Sequence, residues 1–216
     1  MRYFFFLIFA FVLVQQSHGQ FNKYFESKTL RLDYYHCGNS ETEKYYFDEL
    51  IQEPYWGGSE TNLIDVKGYG THFVEVRTTD TNELIYSRGY CTLFDEWQTT
   101  EEAGKTDCCY PESLVIPFPR QKVVVSILTR DKKGVFEKKI KYSVDPQSYF
   151  IKNEREALPV FDVVHSGDTK NKVDLVLLPE GYTENQKELF EADCKKFADE
   201  FFKYAPYSEG YELGAI

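Results

Sequence analysis

The chain has 216 residues, of which 42% are apolar and 28% are charged, and its formal net charge at pH 7 is −10. This length suits one large domain, or one complete domain with part of a second. Proteins that neutralise a row of phosphates need a clustered excess of lysine and arginine, so the acidic balance excludes a nucleic-acid partner. The aromatic content of 17% is too high for a disordered chain and favours a strand-rich fold.

The N-terminus has the parts of a secretory signal peptide. A basic residue is followed by the apolar run Tyr3–Val14, and the small residues Ser17 and Gly19 stand three and one positions before a cleavage site. The run has about 12 residues, fewer than the roughly 20 that a helix needs to span a membrane. We therefore predict a signal peptide over residues 1–19, a secreted or periplasmic protein, and no membrane partner after cleavage.

Five cysteines in an exported chain make structural disulfides plausible, although the odd count leaves at least one thiol free or paired elsewhere. Their spacing does not determine the connectivity. Cys108 and Cys109 are adjacent rather than spaced as C-x-x-C, and no histidine stands near them at zinc spacing. We expect disulfides or buried thiols here rather than a metal or redox site.

Short strands separated by turns dominate the chain from about residue 28 to 145. Alternating or β-branched runs predict strands at Leu30–Tyr35, His72–Arg77, Leu84–Tyr86, Val123–Leu128 and Val135–Tyr142. The turn cluster at residues 79–83 predicts a hairpin between the second and third of these strands. A mainly β fold follows, with an antiparallel β-sandwich as the N-terminal domain over residues 20–145.

The pattern changes after a polar segment bounded by prolines, residues 146–159, which we predict to be a linker. Val160–His165 and Val173–Leu178 read as two further strands. A helix follows, because Thr183 and Gln186 form a capping box and an apolar stripe comes next. The stripe consists of Phe190, Cys194, Phe197 and Phe201, and the helix is expected to end near Tyr204, before Pro206. Residues 160–216 thus resemble the first strand-strand-helix unit of an incomplete α/β domain.

The chain has four histidines, one of them in the signal peptide, and none forms the H-E-x-x-H pair that holds catalytic zinc on one helical face. His36, His72 and His165 stand far apart in sequence, so we expect no metal ligands, no catalytic residues and no cofactor-binding residues in this chain. His36, next to Cys37, is interpreted as a strand-end histidine beside a structural cysteine.

Two further groups leave alternatives open. An acidic stretch could bind calcium or could be a solvated loop, and its members are Asp95, Glu96, Glu101, Glu102 and Asp107. An aromatic group could stack against a sugar or could pack within the sandwich, and its members are Tyr45, Tyr46, Tyr55 and Trp56.

Two C-terminal motifs are distinctive: the run Lys172–Thr183, with its Gly181-Tyr182-Thr183 turn, and the Pro206-Tyr207-Ser208-Glu209 run. They resemble the start of the catalytic domain in the IgA peptidase family, whose members are secreted zinc metallopeptidases of peptidase family M-sixty-four. Upstream, residues 29–35, 69–73 and 88–97 are similar to the β-sandwich domain that precedes the peptidase domain in bacterial members of Bacteroidetes type.

The resemblance implies a metallopeptidase, that is, a hydrolase of protein substrates. The zinc ligands of the family lie on an H-E-x-x-H helix and a later acidic residue, which this sequence does not contain. Zinc is therefore expected in the remainder of the peptidase domain, and this chain is expected to be inactive alone. We interpret the chain as the non-catalytic N-terminal region of such an enzyme. The alternatives are a stand-alone extracellular module that binds glycan or host protein, and a self-contained hydrolase with an unfamiliar site.

Overall fold

The computed structural model of the protein describes residues 20–153, 159–168 and 172–212. The predicted signal peptide, residues 1–19, and residues 154–158 of the predicted linker lie outside these ranges. The chain divides into two compact units, Met1–Arg155 and Glu156–Ile216. Across the described ranges, no helix is both long enough and apolar enough to cross a membrane.

The first unit consists of two four-stranded sheets. The first sheet has the spatial order β5 (Cys108–Pro119), β1 (Phe25–Gly38), β2 (Glu43–Glu53) and β8 (Ile151–Asn153). The second sheet has the order β4 (Leu84–Tyr90), β3 (His72–Thr78), β6 (Val123–Arg130) and β7 (Phe136–Val144). Strands β2 and β8 pair in parallel, and the other neighbours pair antiparallel. The predicted mainly β fold is confirmed, as is the hairpin between β3 and β4.

Alternating side chains build the core between the sheets, because successive residues of a strand point to opposite faces. In β3 the alternate residues His72, Val74 and Val76 are buried. The core takes apolar side chains from both sheets, among them Leu30, Leu32, Tyr34, Leu50, Val74, Val76, Ile85, Leu114, Ile116, Val123, Val125 and Ile127. Complete burial of such an apolar side chain contributes about 1.5–3 kcal/mol, so this row of contacts holds the two sheets together.

A disulfide between Cys37 and Cys109 links β1 to β5, where the two residues are direct cross-strand partners. Cys91, Cys108 and Cys194 are free. The structure therefore supplies the connectivity that the cysteine spacing leaves open. Cys108 precedes the bridge, and its own cross-strand partner is Gly38.

A short helix, α1 (Leu93–Gln98), follows β4 and was not predicted. Thr92 caps its N-terminus, and the capping box is completed by the side chain of Asp95, which accepts from the Thr92 backbone amide. Phe94 and Trp97 are buried in a small apolar cluster beside the main core. The capped helix thereby fixes the position of Asp95 at one end of the sandwich.

The first sheet continues into the segment predicted to be a linker. Ile151, Lys152 and Asn153 form β8 and align with Leu50, Ile51 and Gln52 of β2. The side-chain amide of Gln52 donates to Oδ1 of Asn153 at 3.0 Å. Residues 151–153 therefore belong to the sandwich, past the predicted end of this domain at residue 145.

In the described part of the second unit, the two strands predicted at Val160–His165 and Val173–Leu178 are not formed. Their apolar side chains are largely exposed, at 87% for Val160, 94% for Val173 and 82% for Leu178. A strand pair without a larger sheet to pack against is marginal in water, and the described residues of this unit contain no other strand.

The helix predicted after Thr183 is confirmed. A 3-10 turn, Glu184–Gln186, leads into α2 (Lys187–Phe201), and a last helix that was not predicted, α3 (Tyr207–Glu212), follows. The backbone amide of Thr183 donates to Oε1 of Gln186 at 3.0 Å, as expected of the predicted capping box. Helix α2 ends at Phe201 rather than near Tyr204.

Only part of the predicted apolar stripe of α2 is buried. Cys194 is 4% exposed, whereas Phe197 is 46% exposed and the neighbouring Ala198 is 5% exposed. Phe197 stacks on Phe201 with ring centroids 5.5 Å apart. The helix therefore leaves a large part of its aromatic face uncovered within this unit.

Candidate functional site

His36 lies two residues before the end of β1 and next to the disulfide-bonded Cys37, as predicted, and its side chain lies inside the sandwich. His36 continues the buried alternation of Leu32 and Tyr34, and its side chain is fully buried. Its ring stacks on Tyr45 at 4.3 Å and contacts Phe94 at 3.9 Å between ring centroids. These aromatic contacts fix the plane of the imidazole and exclude water from it.

The turn between β1 and β2 places Glu43 next to that ring. Gly38 ends β1 with φ 148°, and a Cβ atom there would lie 2.0 Å from the carbonyl oxygen of Thr42. Glycine is therefore required for this close approach. Glu43 is the first residue of β2 and the cross-strand partner of Gly38, so its side chain enters the end of the core.

The second histidine comes from the opposite sheet. His72 is the first residue of β3 and is fully buried, in phase with Val74 and Val76. Its cross-strand partners are Tyr90 of β4 and Thr129 of β6. The His36 and His72 rings meet edge to face, with centroids 5.3 Å apart.

A single carboxylate oxygen, Oε1 of Glu43, is the centre of the cluster. It lies 3.1 Å from Nε2 of His36 and 3.3 Å from Nε2 of His72. Thr129 Oγ1 donates to the same oxygen at 3.0 Å, and the Tyr45 hydroxyl donates to it as well. The Tyr45 hydroxyl also lies 2.6 Å from Nε2 of His72.

Each imidazole has a second carboxylate at its outer nitrogen. Nδ1 of His36 lies 3.1 Å from Oε2 of Glu112, which belongs to β5. Nδ1 of His72 lies 3.1 Å from Oδ2 of Asp95, which the capping box of α1 holds in place. A carboxylate at Nδ1 fixes the ring orientation and favours the tautomer with its hydrogen on that nitrogen.

The electrostatics of the cluster favour positive charge at the rings. Burial opposes protonation of His72, but its contacts with Asp95 and Glu43 outweigh burial and raise its pKa to about 9. The same balance, with Glu112 and Glu43 as partners, raises the pKa of His36. Burial favours the neutral acid at Glu43, yet the hydrogen bonds from both histidines lower its pKa far below the ordinary range.

Three carboxylates surround two imidazoles, so negative charge exceeds positive charge even when both rings are protonated. Lys139 lies near the outside of the group, with Nζ 3.9 Å from Oε2 of Glu43, and also pairs with Glu137. Ligand atoms of His36, Glu43 and His72 all lie within 4.8 Å of one another. Such an arrangement can hold protons between its rings and carboxylates, or it can hold a cation.

The structure separates the residues of the predicted aromatic group. Tyr45 faces the buried cluster and Trp56 packs in the core at 6% exposure. Tyr46 and Tyr55 are instead 53% and 68% exposed. The four side chains do not share one surface, so they do not form a common stacking platform.

The members of the predicted acidic stretch also have separate surroundings. Asp95 contacts His72, Glu102 accepts from the indole of Trp97 at 3.2 Å, and Asp107 accepts from the side-chain amide of Asn39 at 2.7 Å. Glu101 is exposed beside Lys105. Among the described residues, the one group of His, Cys, Asp or Glu close enough to share a cation is His36, Glu43 and His72.

The sequence interpretation missed this cluster, although one signal for it was present. His36 and His72 each fall in phase with buried apolar neighbours, and a buried imidazole requires hydrogen-bond partners. The long separation of the two histidines in sequence was the reason to expect no shared site, and strand pairing brings them together. His165 lies in the second unit and is exposed.

Comparisons with protein families agree with this architecture. The family model described as Peptidase M64 N-terminus matches residues 20–141, which include β1 to β6 and most of β7. A second, described as IgA Peptidase M64, matches residues 161–213. A search of curated proteins finds no match to the chain. The first family model alone covers more than half of the chain. The protein therefore belongs to the IgA peptidase family, and the chain contains the N-terminal sandwich and the start of the peptidase domain.

Proposed function

We propose that this chain is the non-catalytic N-terminal region of a secreted zinc metallopeptidase, and that it acts on protein substrates only together with further residues of the peptidase domain. The observation that carries the proposal is the pair of family matches, to the N-terminal region over residues 20–141 and to the peptidase over residues 161–213. The sequence within these matches contains no H-E-x-x-H motif.

The residues of the second unit do not fit a catalytic zinc ion. Such an ion needs about three protein ligands and one open position. The described residues of this unit contain one histidine, His165, which is exposed, and they form no cluster of metal-ligating side chains. We therefore assign no step of peptide hydrolysis to residues of this chain.

The second unit also lacks cover for its apolar side chains, which supports its role as part of a larger domain. Val160, Val173, Val176, Leu178 and Phe197 are each at least 46% exposed. Contiguous exposed apolar surface normally marks a contact with another part of a protein. The occupant that we propose is the remainder of the peptidase domain, because the family match to the peptidase, over residues 161–213, covers all of these residues except Val160.

The test compares the secreted chain with a longer product of the same gene that contains an H-E-x-x-H motif. We expect the longer product to cleave a labelled protein substrate and to lose activity with a zinc chelator, while the present chain is inactive. A matched control replaces the glutamate of the motif by glutamine. Chelator-sensitive cleavage by residues 20–216 alone would refute the proposal.

A second candidate function rests on one exposed aromatic pair. Tyr35 of β1 and Tyr46 of β2 are cross-strand partners on the outer face of the first sheet, 42% and 53% exposed. Exposed tyrosine pairs can stack against sugar rings. If the chain is a stand-alone glycan-binding module, the Tyr35→Ala and Tyr46→Ala double variant should lose glycan binding, while Tyr69→Ala, at another exposed tyrosine, retains it. No binding by the wild-type chain would exclude this candidate.

A further inference from the structure

We propose that His36, Glu43 and His72 bind one divalent transition-metal ion of the zinc class between the two sheets of the sandwich, where it has a structural role. The proposal concerns the N-terminal unit and does not depend on the function proposed above. It departs from the expectation that this chain holds no metal, because that expectation rested on the separation of the histidines in sequence.

Two separations between ligand atoms agree with such a site. Ligands of a tetrahedral zinc ion, each about 2.0–2.1 Å from the metal, lie about 3.3 Å apart. The observed separations from Oε1 of Glu43 are 3.1 Å to Nε2 of His36 and 3.3 Å to Nε2 of His72. The hydroxyl oxygen of Tyr45 lies 2.6 Å from Nε2 of His72, which is a hydrogen-bond distance and shorter than the spacing of two zinc ligands, so Tyr45 is not counted as a ligand.

The outer partners of the histidines point to a metal as well. A histidine that binds a metal usually donates its other ring N–H to a carboxylate or a carbonyl. Both histidines do so here, since Nδ1 of His36 faces Glu112 and Nδ1 of His72 faces Asp95. With one hydrogen on each Nδ1, the Nε2 atoms of both rings face the same carboxylate oxygen of Glu43. One shared cation can therefore take the place of the two Nε2 protons that otherwise link the rings to this oxygen.

The crowding at Glu43 supports a cation over hydrogen bonds alone. Four polar groups lie within hydrogen-bonding distance of Oε1, namely His36 Nε2, His72 Nε2, Thr129 Oγ1 and the Tyr45 hydroxyl. An sp² oxygen has two lone pairs, so these four groups cannot all donate to it with good geometry. When a metal binds both Nε2 atoms and Oε1, the two histidines no longer need to donate hydrogen bonds to Oε1, and only Thr129 and Tyr45 remain as donors to it.

Burial decides the role of the ion. The side chains of His36 and His72 are fully buried and that of Glu43 is 14% exposed, so no peptide substrate can reach the centre. The ligands come from β1 and β2 of one sheet and β3 of the other. An ion at this point connects the sheets directly, as structural zinc does in other small domains.

The first measurement is the metal content of the secreted chain, purified without a polyhistidine tag and dialysed after zinc loading. We expect about one zinc per chain by elemental analysis. Replacement by Co²⁺ should give the visible absorption bands of a tetrahedral centre. Folded wild-type chain that retains no metal and gives no cobalt spectrum would overturn the proposal and would leave a proton-bound network as the description of the cluster.

Variants identify the ligands. Glu43→Gln keeps the volume of the side chain, and His72→Gln keeps a hydrogen-bonding group, so each should fold while the metal content falls to near zero. His165→Ala, at an exposed histidine of the second unit, is the matched control and should retain one zinc per chain. Near-ultraviolet circular dichroism checks folding. Metal retained by a folded His72→Gln chain, or lost from His165→Ala, would contradict the assignment. Because no peptidase assay is involved, failure here and failure of the proposed function are distinguishable.

Discussion

Oδ2 of Asp95 lies 3.1 Å from Nδ1 of His72, and the same carboxylate completes the capping box of the short helix α1. One side chain therefore caps the N-terminus of α1 and orients a histidine of β3. The capping box fixes Asp95 before any ligand is present. Asp95 touches the ring and not the proposed metal, so it is a positioning residue.

The first prediction concerns Asp95→Asn. The amide keeps the size of the side chain but removes the charge that fixes the Nδ1–H tautomer of His72. Loss of such an outer partner typically weakens metal binding about 10- to 100-fold. Competition with a chromophoric chelator should show this loss for Asp95→Asn and unchanged affinity for Glu101→Gln, a matched change at an exposed acid. Equal zinc affinities of the wild type, Asp95→Asn and Glu101→Gln would show that Asp95 only caps α1.

The second prediction concerns the bridge between Cys37 and Cys109. Their separation of 72 residues makes a long loop, and its constraint on the unfolded chain is worth about 2–4 kcal/mol. We expect the Cys37→Ser and Cys109→Ser double variant to lose stability of this order in urea unfolding. Cys91→Ser removes an exposed free thiol and should remain close to wild type. A double variant as stable as the control would show that the bridge adds nothing to the sandwich.

The sequence predicted the sandwich well because its strands carry their own signal. In β3 the alternation of His72, Val74 and Val76 with polar residues specifies both the strand and its buried face. Local capping chemistry likewise predicted the start of the helical region at Thr183. Such features depend on neighbouring residues alone.

The site could not be predicted because it depends on strand order. His36 and His72 meet only when β1 and β3 occupy facing sheets, and nothing near either residue encodes that relationship. The short strand β8 was missed for the same reason, since Ile151 gains its partner from β2. Conversely, the strands predicted at Val160–His165 and Val173–Leu178 have the right local pattern, but the described residues of their unit provide no strand to pair with them.

The third prediction is a pH dependence at Asp65. The backbone amide of Gly68, aided by those of Gly89 and Lys67, donates to the Asp65 carboxylate and holds its pKa below the ordinary value of 3.8 although partial burial opposes this. A lowered pKa in the folded state stabilises the protein above the ordinary value, and this stability is lost as the pH falls through the lowered value.

Asp65→Asn should therefore be less stable than wild type at pH 7, and the difference should shrink as the pH falls below 3.8. Urea midpoints of both chains across this range provide the measurement. Asp80→Asn, at an exposed turn position, should stay close to wild type at pH 7. A deficit for Asp65→Asn that stays constant with pH would mean that the charge of Asp65 does not contribute.

The fourth prediction concerns export. Ser17 and Gly19 suit the two small pockets of signal peptidase, so the secreted protein should begin at Gln20, with or without cyclisation of that residue. Intact mass and N-terminal peptide analysis of secreted material test this directly. Gly19→Leu should block cleavage, whereas Gln16→Leu, outside the two small positions, should not. Secreted protein that retains Met1 would contradict the prediction.

The last prediction concerns the unequal stability of the two units. The sandwich has its own core, whereas α2 leaves Phe197 46% exposed. Weakly packed regions open more often and expose their backbone to proteases. Brief proteolysis should therefore leave a resistant fragment that extends through β8 to about Asn153, because this strand is paired with β2. Equal resistance of residues 160–212 would contradict the prediction.

Two substitutions test the same point by thermal unfolding. Ile85→Ala removes a fully buried core side chain and should lower the stability of the sandwich by about 2–5 kcal/mol. Phe197→Ala should change that transition by no more than about 0.5 kcal/mol, as is usual for a substitution outside the core. In a longer chain that contains the rest of the peptidase domain, Phe197 becomes covered, so the same change should impair folding there. If Phe197→Ala instead destabilises the sandwich as much as Ile85→Ala does, then the two units unfold as one cooperative structure. In that case the exposed aromatic face of α2 is not a surface that another part of the peptidase domain covers.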